Sequence, residues 1–144
     1  MLLADSAQAV DGKLYILGGG WSVTGPDPTP SAIALKIEVP WDATNRKHSV
    51  LLQMVDIDDQ PVTVETPIGE QPIEIKSEFE VGRPPGVKAG TAIDLPMAIN
   101  LGPLPLPPGN QYVWKLSIDD ESREEWRVVF TVRPPQPIAS KASG

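Results

Sequence analysis

The sequence predicts an all-β fold, an antiparallel eight-stranded β-sandwich of the Ig-like kind. Three observations predict it. Apolar residues recur at every second position in run after run, as a half-buried strand requires. The 17 prolines and 12 glycines among 144 residues punctuate the chain about every ten residues, leaving no window for a long helix. The resulting strands are evenly spaced with turn signals between them, the pattern of a sandwich.

Leu2 to Val10 reads as a short mixed strand closed by Asp11-Gly12, a strong hairpin-turn dipeptide. Lys13 to Val23 returns through Leu14-Tyr15-Ile16-Leu17 and then Gly18-Gly19-Gly20-Trp21. Thr24 to Ser31 carries Pro26, Pro28 and Pro30 and reads as a loop. Ile33, Leu35, Ile37 and Val39 alternate with Ala34, Lys36 and Glu38 up to Pro40. Trp41 to Lys47 is a polar loop, and His48 to Asp56 is a strand with Val50, Leu52 and Met54 in register.

Asp58-Asp59-Gln60-Pro61 is a turn, and Val62 to Gln71 is a marginal edge strand or an irregular loop. Ile73, Ile75, Phe79 and Val81 then face inward, with Glu74, Lys76, Glu78 and Glu80 outward. After the loop Gly82 to Gly90, Ile93 to Leu101 alternates again, and Pro96 marks an edge or a bulge. The last hairpin is the strongest. Tyr112, Trp114, Leu116 and Ile118 share one face, Asp119-Asp120-Glu121-Ser122 turns, and Trp126, Val128, Phe130 and Val132 return. Trp114 and Trp126 read as core. Residues 1–133 form one domain, long enough to bury a core, and 134–144 read as a flexible C-terminal tail.

The net charge of −7 argues against nucleic acid or an anionic membrane as partner, since both select clustered Lys and Arg. With no cysteine there are no disulfides, thiolate metal sites or cysteine nucleophiles. The start, Met1-Leu2-Leu3-Ala4-Asp5, lacks the basic leader and apolar core of an export signal, which predicts a cytoplasmic protein.

Three pieces together carry a resemblance: Leu3-Ala4-Asp5 with Ala7 and Gln8; Asp11-Gly12-Lys13-Leu14 through Gly18-Gly19; and Pro108-Gly109 followed by Tyr112, Trp114 and Ile118-Asp119. The chain resembles a family of small bacterial proteins classed as a domain of unknown function. Its members share an opening with an acidic residue, alanine and glutamine, a Gly-Lys-Leu hairpin ending in paired glycines, and a late Pro-Gly-x-Tyr strand. They often carry a cysteine before the first aspartate and Asp-Gly at later turns. Here those positions read Ala4, Asp58-Asp59 and Asp119-Asp120. The resemblance supports the fold and implies no catalytic residue.

Candidate chemistry stands beside plainer readings. Trp41, Asp42, Asn45, Arg46 and His48 combine a loop ring with amide, guanidinium and carboxylate groups, the vocabulary of sugar or peptide recognition. The plainer reading tucks Trp41 under its own loop. Asp56, Asp58 and Asp59 at one turn, and Asp119 and Asp120 at another, supply hard oxygens for Ca²⁺ if both loops lie at one end. The same residues are ordinary turn formers.

His48 beside Ser49 invites a hydrolase relay, and Glu74, Glu78 and Glu80 a carboxylate pair. A lone half-buried imidazole and a solvated strand face account for both. Gly18-Gly19-Gly20 does not open a helix, so it reads as a bulge rather than a phosphate cradle. The leading expectation is therefore a non-catalytic structural or protein-binding domain with no cofactor, binding a protein partner or itself as a homo-oligomer. The alternative is a small-ligand module taking carbohydrate or Ca²⁺ at one loop end, and a hydrolase comes third.

Overall fold

A computed structural model describes residues 1–136; of the predicted tail, 137–144 lie outside the described residues. The chain is all-β. Its strands are β1 (Leu2–Ala4), β2 (Ser6–Val10), β3 (Lys13–Leu17), β4 (Val23–Thr24), β5 (Ser31–Val39), β6 (His48–Asp56), β7 (Thr63–Thr66), β8 (Gly69–Pro72), β9 (Glu74–Phe79), β10 (Ile93–Leu101), β11 (Gln111–Ile118) and β12 (Glu121–Val132). Among the described residues the one helical piece is a 3-10 turn, Trp41–Ala43.

The expected count of eight strands is corrected to twelve among the described residues, in four sheets. A three-stranded sheet runs β1-β5-β10, and a five-stranded sheet runs β4-β12-β11-β6-β9. β2-β3 and β7-β8 are separate two-stranded ribbons. The extra strands have local causes. The first run bends at Asp5, splitting β1 from β2. The weak stretch after Pro61 closes on itself as a hairpin around Pro67-Ile68. Val23 and Thr24, expected in a strand end and a proline loop, form a parallel pair with Thr131 and Val132.

Both larger sheets feed one core. Ile33, Leu35, Ile37 and Val39 of β5 cluster with Leu52 and Met54 of β6, Trp114 and Leu116 of β11 and Phe130 of β12. These are the alternate positions that period two assigns to one face, and Leu52 is fully buried. Tyr112 is buried at the start of β11, and its hydroxyl donates to the Pro107 carbonyl at 2.6 Å.

The β2-β3 ribbon is an arm outside this core. Asp11 and Gly12 adopt φ of 51° and 75°, the left-handed pair of a two-residue hairpin turn. Ala7 on one face of the arm packs with Ala4, Ala32 and Ala34. Asn100 of β10 then grips the arm by its backbone: Oδ1 accepts the Ala7 N–H at 3.2 Å and Nδ2 donates to the Ala7 carbonyl at 2.8 Å. The first two glycines after β3 lie against side chains at the root of the arm. Gly20 N–H donates to the Leu3 carbonyl at 2.7 Å, and a Cβ at Gly18 would run into the Asp5 carboxylate. Val10, Tyr15 and Leu17 lie on the opposite face, 44%, 55% and 70% exposed.

The hairpin β11-β12 turns at Asp119-Asp120, both left-handed at 51° and 66°. Its register slips after Lys115↔Arg127 and resumes at Ser117↔Ser122. Arg123 to Trp126 therefore bulge out of the ladder, where the sequence pattern placed the start of a return strand. The Ser122 hydroxyl donates to the Leu116 carbonyl at 2.7 Å, occupying an acceptor within the bulge.

Candidate functional site

The loop between β5 and β6 starts as Pro40 stops the strand and the 3-10 turn carries Trp41 to the end of the core. Trp41 is half-buried, and the Arg83 guanidinium lies 3.9 Å from its ring centroid. Arg83 Nε donates to Thr44 Oγ1 and Nη2 donates to the Trp41 carbonyl, both at 2.7 Å. The Thr44 hydroxyl donates to that same carbonyl at 2.7 Å. A stacked guanidinium therefore occupies a ring face that a sugar would need, which favours the plainer reading of Trp41. Asn45 is exposed at φ 60°, its N–H donating to the Val81 carbonyl at 2.8 Å, and Asp42 is exposed on the 3-10 turn.

His48 is buried at the start of β6 and stacks on Phe79 at 5.0 Å. Its Nδ1 lies 2.6 Å from Asp119 Oδ2, and its Nε2 lies 2.7 Å from the Ala43 carbonyl. Both neighbours are acceptors, so both ring nitrogens must carry hydrogen: the pair is satisfied by an imidazolium. The Asp119 hydrogen bond, then that from Ala43, holds its pKa above the ordinary 6.5 against the cost of burial. Asp119 moves the other way, held below the ordinary 3.8 first by His48 and then by the Ser49 N–H, which donates to Oδ1 at 2.9 Å. With both nitrogens engaged the ring has no free lone pair to serve as a general base.

An open cleft of about 540 Å³ lies beside this pair, between the free edge of β5 and the bulge of β12. Leu35, Ile37 and Val39 line one wall, Leu116, Ile118 and Trp126 the other, with His48 and Phe79 below. Charges of both signs rim it: Lys36 and Glu38 on β5, Arg46 on the loop, and Glu121, Arg123 and Glu125 on the bulge. Trp126, expected in the core, is partly buried and packs against it while lining this wall, with the Arg123 guanidinium 5.1 Å from its ring. Of the five loop candidates, Arg46 and His48 reach the cleft.

The two acidic turns do not converge. Asp56 pairs with Tyr112 while Val50 pairs with Ile118, so the turns flank opposite ends of the β6-β11 ladder. Six residues of strand separate them by roughly 20 Å. This corrects the pooled Ca²⁺ site of Asp56, Asp58, Asp59, Asp119 and Asp120. Each set has local employment: Asp56 Oδ1 accepts the Asp58 and Gln60 N–H groups, and Asp59 meets Lys115 at 3.4 Å and Arg127 at 3.6 Å. Asp120 sits at the hairpin turn. Among the described residues, no three His, Cys, Asp or Glu side chains are grouped to hold a metal ion.

Sequence reasoning missed Arg83, inside a Pro/Gly loop with no pattern to mark it, and the rim residues Glu121, assigned to a turn, and Arg123 and Glu125, just after it. The one available signal was their alternation of sign just before Trp126. No curated protein and no solved structure matches this chain. A family model does match, over residues 1–133, and the chain accordingly belongs to the Family of unknown function (DUF6941).

Proposed function

We propose that the protein is a non-catalytic β-sandwich of Ig-like architecture that works by presenting surface to a protein partner, a second copy of itself included. The strand order supports the Ig-like part. β1-β5-β10 follows the A-B-E order of such sandwiches, and β12-β11-β6 follows G-F-C. The Tyr112 hydroxyl bonded to a carbonyl five residues upstream matches the tyrosine corner at the start of strand F.

The observation that carries the binding role is the arm. Val10, Tyr15 and Leu17 expose apolar side chains on one face of a ribbon whose other face is anchored to the three-stranded sheet. Apolar exposure of this kind on a fixed element is the mark of a contact surface. The doubly bonded His48 supports the non-catalytic part. A cytoplasmic setting belongs to the same proposal, since a cysteine-free fold takes nothing from an oxidising compartment.

The test is affinity capture from the native host with the full chain and with the Tyr15→Ser/Leu17→Ser variant. A protein retained by the first and lost by the second is the expected result. Equal recovery, or none, overturns the arm as the contact surface. The cleft favours a second reading, a small ligand held beside Arg46. A thermal-shift panel of sugars checks it, because a ligand that binds only the native state raises the melting point.

A further inference from the structure

β5 is longer than the strand that covers its outer edge. β1 begins at Leu2, opposite Ala34, whereas β5 runs on to Val39 and is paired with β10 from Ser31 to Val39 on its other side. The direction of the uncovered polar groups follows from the ladder. The Leu3 carbonyl accepts Gly20 N–H, so the main chain of Leu3 points away from β5. The neighbours Leu2 and Ala4 then point toward β5, and their partners Ala34 and Ala32 point toward β1. Two-residue alternation carries the same direction to Lys36 and Glu38. Pro96 agrees: it has no N–H to give and sits opposite Lys36, where β5 points away from β10.

We propose that this open edge pairs with the same edge of a second copy, antiparallel about a two-fold axis through Ile37. The inference rests on the self-association half of the reading above and names the surface and the register. Residues that point to the edge can exchange hydrogen bonds only with one another, so Lys36 and Glu38 meet themselves or each other. Lys36 against Lys36, or Glu38 against Glu38, sets like charges face to face, which is destabilising. Lys36 against Glu38 of the second copy satisfies charge and direction together, and the symmetry makes the pair twice.

Each pair exchanges both main-chain bonds, with Ile37 opposite Ile37 between them. Leu35 then stands opposite Val39, and Pro40, which lacks an N–H and ends the ladder, opposite Ala34, so Met1 and Leu2 of each copy lift away from β5 as the pair forms. Such a contact is isologous, the commonest form of closed assembly, and joins two three-stranded sheets into one. It also closes the cleft. The rim charges Glu121, Arg123 and Glu125 alternate in sign, and among the described residues none of them has an ion-pair partner. Two copies of that rim facing each other across the axis can match negative to positive. The net charge of −7 on each copy opposes association at long range, a repulsion that physiological salt screens beyond about 8 Å.

Sedimentation velocity over a concentration series tests the pairing with the full chain. The wild type is expected to move from 15.5 kDa toward twice that mass. Lys36→Glu and Glu38→Lys, each alone, are expected to weaken the dimer at least tenfold, since each creates facing like charges. The double variant Lys36→Glu/Glu38→Lys is expected to restore it, with circular dichroism and melting curves reporting that all four proteins fold. Amide exchange at Lys36 and Glu38 is expected to slow with concentration in the wild type.

A monomeric wild type, single variants that dimerise unchanged, or a folded double variant that stays monomeric overturns the edge pairing. Tyr15→Ser/Leu17→Ser separates this failure from that of the functional reading. A dimer lost there but kept in the charge variants assigns self-association to the arm and sinks the edge. A dimer kept there and lost in the charge variants supports the edge.

Discussion

Asn100→Ala releases the arm without touching the core. The Asn100 side chain makes two hydrogen bonds to Ala7, at 3.2 and 2.8 Å, standing in for the ladder bonds that a neighbouring strand would give β2. The other attachments are fewer: four buried alanines, Ala4, Ala7, Ala32 and Ala34, with Leu2 and Ala98 beside them, offer modest apolar area, and the Gly20 to Leu3 and Asp5 to Leu17 bonds lie at the root of the arm. A neutral hydrogen bond contributes about 0.5–1.5 kcal/mol net, so losing both costs the closed arm about 1–3 kcal/mol. That corresponds to roughly five- to 150-fold faster local opening at 1.4 kcal/mol per tenfold. Amide exchange by NMR reads it residue by residue. Amides of Ser6 to Leu17 should speed up by that factor, while those of β6 and β11, exchanging by global unfolding, stay nearly unchanged. If the arm amides keep their wild-type rates, or if β6 and β11 accelerate equally, the clamp is not what holds the arm.

Other outcomes follow from the same geometry. His48 has a raised folded-state pKa, so its contribution is complete below 6.5 and fades as pH rises through the folded value; that of Asp119, whose pKa is lowered, is present above 3.8 and fades as pH falls through its depressed value. The melting-point gap between wild type and His48→Gln should therefore be widest at about pH 5, between the two ordinary values, and narrow as pH rises through the folded value of His48, and a gap that grows with pH refutes the imidazolium. Tyr112→Phe removes the bond to the Pro107 carbonyl, and urea denaturation should show a loss of about 0.5–1.5 kcal/mol, the carbonyl turning to water. Gly18→Ala forces a side chain into left-handed backbone at φ 61° and against Asp5, so the same assay should show at least about 1–2 kcal/mol lost, whereas Gly12→Ala meets no neighbouring atom and should cost less.

What could be read in the sequence was facing. Period two placed Leu35, Ile37, Val39, Leu52, Met54, Trp114 and Phe130 in one core, where all are buried, and Asp11-Gly12 announced its turn by composition. What could not be read was the loss of register. Trp126 has the right parity and packs against the core, but the ladder slips just beside it, so it is only partly buried and lines the cleft, and parity carries no information across a bulge. The Ca²⁺ expectation failed for a related reason: turn chemistry identifies a turn but not the end of the sheet on which it lies, which depends on how β6 and β11 align.

The candidate site shows the same division. Trp41, Arg46 and His48 are neighbours in the chain, yet their partners are Arg83, absent from any local pattern, and Asp119, 71 residues from His48. Once those contacts are made, Trp41 and His48 are largely committed to holding the loop, and the free binding capacity of this end moves to the main chain of β5. That edge is invisible in a hydrophobicity pattern, because Leu35-Lys36-Ile37-Glu38-Val39 reads as a flawless half-buried strand whether or not a neighbour covers it. Among the described residues β1 pairs with β5 only from Ala32 to Ala34, and the charges beyond matter because Lys36 and Glu38 flank Ile37 symmetrically. A strand that alternates inward and outward and reverses its charge about its own centre is complementary to itself in antiparallel register, and that property, unlike the loop cluster, needs no residue from elsewhere in the chain to complete it.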